Sequence, residues 1–175
     1  MDRRRFLRTL VTAAPLLALP AAGSAVPADF RALGFTHLHT GERLAVEYMS
    51  RGVYVPDALA SIDHLLRDFR TSDVHPIDPA LLDLLHALTE ATGSRRPFEV
   101  ISGYRSPATN ARLRARSGGV ASGSLHMKGQ AIDIRVADVR LAALRDAART
   151  LRRGGVGYYP TSNFVHVDTG RVRTW

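Results

Sequence analysis

The chain has 175 residues, of which 45% are apolar, and a formal charge of +8. That length fits one domain, and that apolar share excludes an intrinsically disordered chain. Cysteine is absent, which excludes disulfides, thiolate zinc fingers, iron–sulfur clusters and a cysteine nucleophile, so any metal must be held by His, Asp or Glu.

Residues 1–25 read as an export signal and not as part of the fold. Arg3, Arg4, Arg5, Phe6, Leu7 and Arg8 precede an apolar stretch from Leu10 to Ala22 and a small-residue ending. The arginine run resembles the core of the bacterial twin-arginine export signal. The apolar stretch is shorter than the ~20 residues of a membrane span and holds Pro15 and Pro20. Cleavage after Ala25 would leave residues 26–175 as the folded domain, with no membrane span. The segment carries four arginines against Asp2, so its removal lowers the formal charge from +8 to +5. This moderate excess has no aromatic-interleaved basic stripe, and no nucleic-acid partner is expected. It suits weak attraction to an anionic polymer such as the cell wall, or simply a solvated arginine-rich surface.

In chain order, residues 35–49 predict a β-hairpin around Thr40, Gly41 and Glu42. After Pro56, apolar residues at 58, 59, 62, 65, 66 and 69 have helical spacing, with Asp57 as N-cap. Residues 78–93 repeat the pattern: Asp78 caps, Pro79 takes the first helical position and Gly93 closes. A strand follows over 97–103, then a helix capped by Ser106 with Pro107 first. Residues 130–136 predict a strand with Ile132 and Ile134 on one side and Asp133 on the other. An amphipathic helix over 138–155 and two strands, around 156–159 and 163–169, complete the chain. Mixed helices and hairpins without a βαβ rhythm predict an α+β domain with a small, largely antiparallel sheet and packed helices.

The stretch SLHMKGQAID, residues 124–133, carries His126 and Asp133 seven positions apart. An aspartate on an otherwise apolar strand needs a partner if buried, and His126 lies across the turn formed by Met127 to Gly129. In FVHVD, Val165 and Val167 face the core and His166 and Asp168 share the other face. If the two strands are neighbours, His126, Asp133 and His166 meet at one point. Two imidazoles and a carboxylate suit Zn2+, with the fourth position left to a water whose pKa falls to about 7.

The string Ser124, His126, Gly129, Ala131 and Asp133 resembles the S-x-H-x-x-G-x-A-x-D motif of the zinc D-Ala-D-Ala carboxypeptidase and Hedgehog-like metallopeptidases. ISGYRS, residues 101–106, resembles their arginine motif. Together with LHTGERL and GGVGYYPTSNFVHVDTG, these segments resemble the YcbK-type (MepK) murein endopeptidases from about Thr36 to Trp175. The resemblance implies a Hedgehog/DD-peptidase-like fold and a periplasmic zinc enzyme that cuts peptide cross-links of peptidoglycan, with a preference for diaminopimelate–diaminopimelate links. It implies His126, Asp133 and His166 as ligands. Two alternatives stand beside it: a D,D-carboxypeptidase trimming stem peptides, and a zinc-containing peptidoglycan-binding module without turnover. Nothing in the residue pattern specifies an oligomeric state.

Arg105 is expected to clamp a substrate carboxylate in a two-pronged fork, against the reading of a surface ion pair. Ser124 either bonds substrate or holds its turn. The carboxypeptidases place Glu or Asp three residues before the last histidine ligand, and here that position is Asn163. Asp168 is then the candidate general base, with orientation of a ligating histidine as its second reading. His37 and His39 are read as surface histidines, and His64, His75 and His86 as structural.

Overall fold

The computed structural model describes residues 29–116 and 120–175. The expected export segment and its cleavage site lie outside the described residues.

The hairpin pairs β1 (Arg31–His37) with β2 (Arg43–Ser50), and a two-residue β3 (Val53–Tyr54) follows. Helix α1 spans Pro56–Leu65. Pro56 takes the first helical position, where a missing N–H costs nothing, so the cap falls on Val55 and not on Asp57. The helix also stops four residues short of the end of its apolar pattern, which runs to Phe69. There the buried Asp68 accepts hydrogen bonds from the amides of Arg70 and Ser106 and turns the chain. Helix α2 (Pro79–Thr92) has the expected ends: Asp78 accepts from the Ala80 amide at 2.9 Å, and Gly93 closes in the left-handed region.

Strand β4 (Phe98–Ser102) leads to α3 (Pro107–Arg116), whose cap, Ser106, accepts from the Thr109 amide at 3.2 Å. A 3₁₀ turn, Leu125–Lys128, precedes β5 (Ala131–Val136). Helix α4 (Leu141–Leu151), β6 (Gly155–Tyr159), β7 (Phe164–Asp168) and a short β8 (Arg173–Thr174) complete the chain. The 3₁₀ turn and the two-residue strands β3 and β8 have no periodicity long enough to read in a sequence.

All eight strands form one sheet in the order β3-β2-β1-β4-β5-β7-β6-β8. Among the described strands only β1–β4 and β6–β8 are parallel, so the expected α+β domain with a largely antiparallel sheet is what the chain forms. Helices α1, α2 and α4 close the core with one face of the sheet. Ile132 and Ile134 on β5 and Val165 and Val167 on β7 are fully buried there, each stabilising by roughly 1.5–3 kcal/mol. That burial locks the register, because a one-residue slip would drive Asp133 and His166 into the apolar core.

Candidate metal centre

Strands β5 and β7 are neighbours, and Asp133 stands directly opposite His166. His126 reaches the same point from the 3₁₀ turn. That turn depends on Gly129, which sits at φ +65 with the Pro76 carbonyl so close that a Cβ would lie 2.1 Å from it. A side chain is excluded there by strain and by space alike. Among the described residues, His126, Asp133 and His166 are the one group whose donor atoms converge as a metal site requires.

The three inward atoms form a compact triangle. His126 Nε2 lies 3.1 Å from His166 Nδ1 and 3.2 Å from Asp133 Oδ1, and His166 Nδ1 lies 2.9 Å from Asp133 Oδ1. Ligands about 2.0–2.1 Å from a tetrahedral zinc stand roughly 3.3 Å apart, close to these edges. The outer nitrogens explain why a cation suits the centre. His126 Nδ1 is 2.7 Å from the Gly103 carbonyl, and His166 Nε2 is 3.0 Å from Asp168 Oδ2. Each outer nitrogen faces an acceptor and so carries the ring's proton, leaving the inner nitrogen a lone pair. Two lone pairs and a carboxylate oxygen then face one another in a buried space, which is unfavourable without a positive charge between them.

Electrostatics run the same way. Burial alone would raise the Asp133 carboxyl, but His126, His166 and Arg105 hold it well below the usual carboxylate range. Burial keeps His126 below the ordinary imidazole value. Burial opposes the charging of His166 as well, yet Asp133 and Asp168 together pull its value upward. The site thus keeps an ionised carboxylate, a neutral His126 and a strong affinity for positive charge at His166.

The residues around the triangle are placed as follows. Asp168 is fully buried and its two oxygens accept five hydrogen bonds, from His166, the Gly155 and Gly170 amides and both terminal nitrogens of Arg173. It meets the His166 nitrogen that points away from the triangle. Arg105 donates to Asp133 Oδ2 through one terminal nitrogen and to Ser102 Oγ through Nε at 2.9 Å, so part of its fork serves the site itself. Ser102 was not singled out in the sequence. A bulge between Val100 and Ser102 shifts β4 by one residue and sets Ser102 opposite Asp133, the kind of re-aiming a bulge performs. No residue pattern announces it.

A cleft of about 570 Å³ opens on the triangle, lined by Arg105, Ser124, Tyr159, Phe164 and Trp175 among others. Asp133 supplies the only carboxylate among its described lining residues. The Ser124 carbonyl accepts the Met127 amide and so holds the turn, while its side chain makes no cap bond. Asn163 has φ +55 in the tight turn between β6 and β7, a conformation asparagine tolerates better than most residues, and it does not line the cleft.

The other histidines lie apart from this centre. His37, expected at the surface, is fully buried, because it shares the inward parity of Leu33 and Phe35 on β1. Its Nδ1 accepts the His39 and Thr40 amides. His39 stacks on Phe69 at 4.2 Å.

A family model described as peptidoglycan L,D-endopeptidase MepK (Peptidase_M15_2) matches residues 25–175. The peptidoglycan L,D-endopeptidase MepK of Escherichia coli strain K12 is 44% identical over 176 residues, spanning 99% of this chain and 97% of its own. Its counterpart from Shigella flexneri has the same identity and coverage. A probable peptidoglycan L,D-endopeptidase MepK from Haemophilus influenzae is 50% identical over 146 residues, covering 83% of this chain and 78% of its own.

Proposed function

The chain belongs to the peptidoglycan L,D-endopeptidase MepK family, and from that premise we propose that it is a zinc-dependent murein endopeptidase hydrolysing L,D peptide cross-links, with diaminopimelate–diaminopimelate links as the preferred bond. The observation that carries the metal dependence is the triangle of His126 Nε2, Asp133 Oδ1 and His166 Nδ1, whose outer partners leave three electron pairs facing inward. These three residues would hold the zinc. In such a site zinc supplies Lewis acidity toward a carbonyl and activates a water near neutral pH.

The protein's own groups prepare that chemistry. The Gly103 carbonyl and Asp168 fix the two imidazoles in one tautomer and one orientation each. Arg105 steadies Asp133 while its remaining terminal nitrogen is left to bind a substrate carboxylate. Ser124 lines the cleft with a hydroxyl available to the peptide. Asp168 acts as a positioning residue: its oxygens are saturated and it lies behind His166, away from the cleft. A peptidoglycan substrate supports a periplasmic location for the mature protein, and the arginine run Arg3, Arg4 and Arg5 supports export by the twin-arginine route. The same site could serve a D,D-carboxypeptidase, so the products decide between the two.

Zinc-loaded protein incubated with intact murein sacculi should release monomers from cross-linked dimers. Stripping the metal with a chelator should abolish this and added zinc should restore it, while His126→Ala should retain neither metal nor activity. Activity that persists through exhaustive chelation would overturn the metal mechanism. Removal of terminal residues alone would identify a carboxypeptidase.

A further inference from the structure

Trp175 is the chain's single tryptophan and is half exposed, with 51% of its surface in solvent, yet it is held in place from several sides. Its amide donates to the Val156 carbonyl at 3.2 Å, and its carbonyl accepts the Tyr158 amide at 3.1 Å. The indole Nε1 donates to Tyr159 Oη at 2.7 Å, and the Arg173 guanidinium lies 4.8 Å from the ring. Beneath the indole is Gly157, where a Cβ would stand 2.8 Å from the ring. A glycine at that position on β6 makes room for the ring, and the ring centroid comes within 5.2 Å of that of His166.

The indole continues a wall. Tyr159 and Phe164 pair across β6 and β7 and stack at 4.5 Å, and the hydrogen bond from Trp175 joins them. This wall flanks the triangle at its His166 corner, whereas Arg105 flanks the Asp133 corner. The cleft therefore has the aromatic wall on one side of the reacting position, where Arg173 is paired with Asp168, and Arg105 on the other. A cross-link made through a diamino acid has matching parts: a methylene arm between the scissile amide and a charged α-carbon that carries a carboxylate. A fixed, half-exposed indole packs on methylenes at little entropic cost.

Resting on the endopeptidase reading above, we propose that Trp175 is a specificity-determining residue that packs against the methylene arm of the cross-linking diamino acid and selects long-armed links over short ones.

The lone tryptophan makes this directly observable. Metal-free protein is titrated with a stem-peptide dimer linked through diaminopimelate, with binding followed in parallel by calorimetry. Tryptophan emission should shift to the blue and saturate along with the heat. A matched dimer linked through 2,4-diaminoglutarate, which keeps both amino-carboxylate ends but lacks most of the arm, should bind about tenfold more weakly. In the zinc-loaded enzyme, Trp175→Ala should reduce the kcat/KM preference for the long-armed dimer about tenfold, mainly through KM. Trp175→Phe should restore most of it, and zinc content should not change. Saturating peptide without any emission change overturns the proposal, as does equal loss on both dimers with zinc retained. If the wild type cleaves neither dimer, the endopeptidase reading fails, and the emission titration alone decides for or against Trp175.

Discussion

His166 stands between two aspartates that meet opposite edges of its ring. Asp133 meets the inward nitrogen beside His126, and Asp168 meets the outward one. From the sequence, the i, i+2 spacing of His166 and Asp168 places both on one face of β7 but cannot say which ring nitrogen the carboxylate meets. That depends on the ring's rotamer and on Arg173, a neighbour no local pattern supplies. Asp168→Asn should therefore weaken zinc binding by roughly 10–100-fold, with turnover recovering at saturating zinc. Turnover that stays about 100-fold down on fully loaded protein would instead make Asp168 the general base. The three triangle residues were legible because two strands with alternating apolar residues declare which side chains turn away from the core. Ser102 was not legible, because its place follows from a one-residue bulge.

At the scale of elements, the helix ends show what local sequence can and cannot specify. Asp78-Pro79 and Ser106-Pro107 cap as their residue types require. The apolar pattern of α1 runs past its true end, because a distant partner ends the helix. Asp68 accepts from Ser106 at the start of α3, through its amide at 3.0 Å and its hydroxyl at 2.7 Å. It thereby ties the exit of α1 to the loop that carries Arg105. Asp68→Ala would leave buried donors unpaired and should cost about 2–4 kcal/mol in denaturant unfolding. Burial alone would raise the Asp68 carboxyl, but hydrogen bonds from Thr109, Ser106 and the Arg70 amide bring it below its ordinary 3.8. The folded state therefore binds this proton more weakly than the unfolded state does. The stabilisation is fully present above the unfolded value and is lost as pH falls through the folded one. The gap between wild type and variant should hold from pH 7 to about 5 and shrink below 3.8, as chemical denaturation at a series of pH values would register.

For the whole molecule, composition and periodicity conveyed the α+β class and most of the elements. They could not convey the strand order, which is a property of long-range pairing and not of any local stretch. Nor could they reveal that β1 and β4 run parallel, or that the inward parity of β1 buries His37. The leader is a separate matter, since its reading rests on residues 1–25 alone. Replacing Arg3 and Arg4 together with lysine should block export and leave unprocessed precursor in the cytoplasm, as fractionation and immunoblotting would reveal. Normal processing of that variant would count against the twin-arginine route.

The position of β7 in the sheet has a consequence in time. It lies between β5 and β6, and among the described strands β6 pairs only with β7 and β8. During synthesis, β5 and β6 emerge first but cannot dock on each other, and the partner that joins them also brings His166. Contacts between such distant segments form late, because loop closure must come first. A nascent or prematurely halted chain therefore carries no complete triangle, however well its earlier half has folded. In a family of peptidoglycan endopeptidases, the one cluster among the described residues suited to a metal is thus assembled only after β7 has been made.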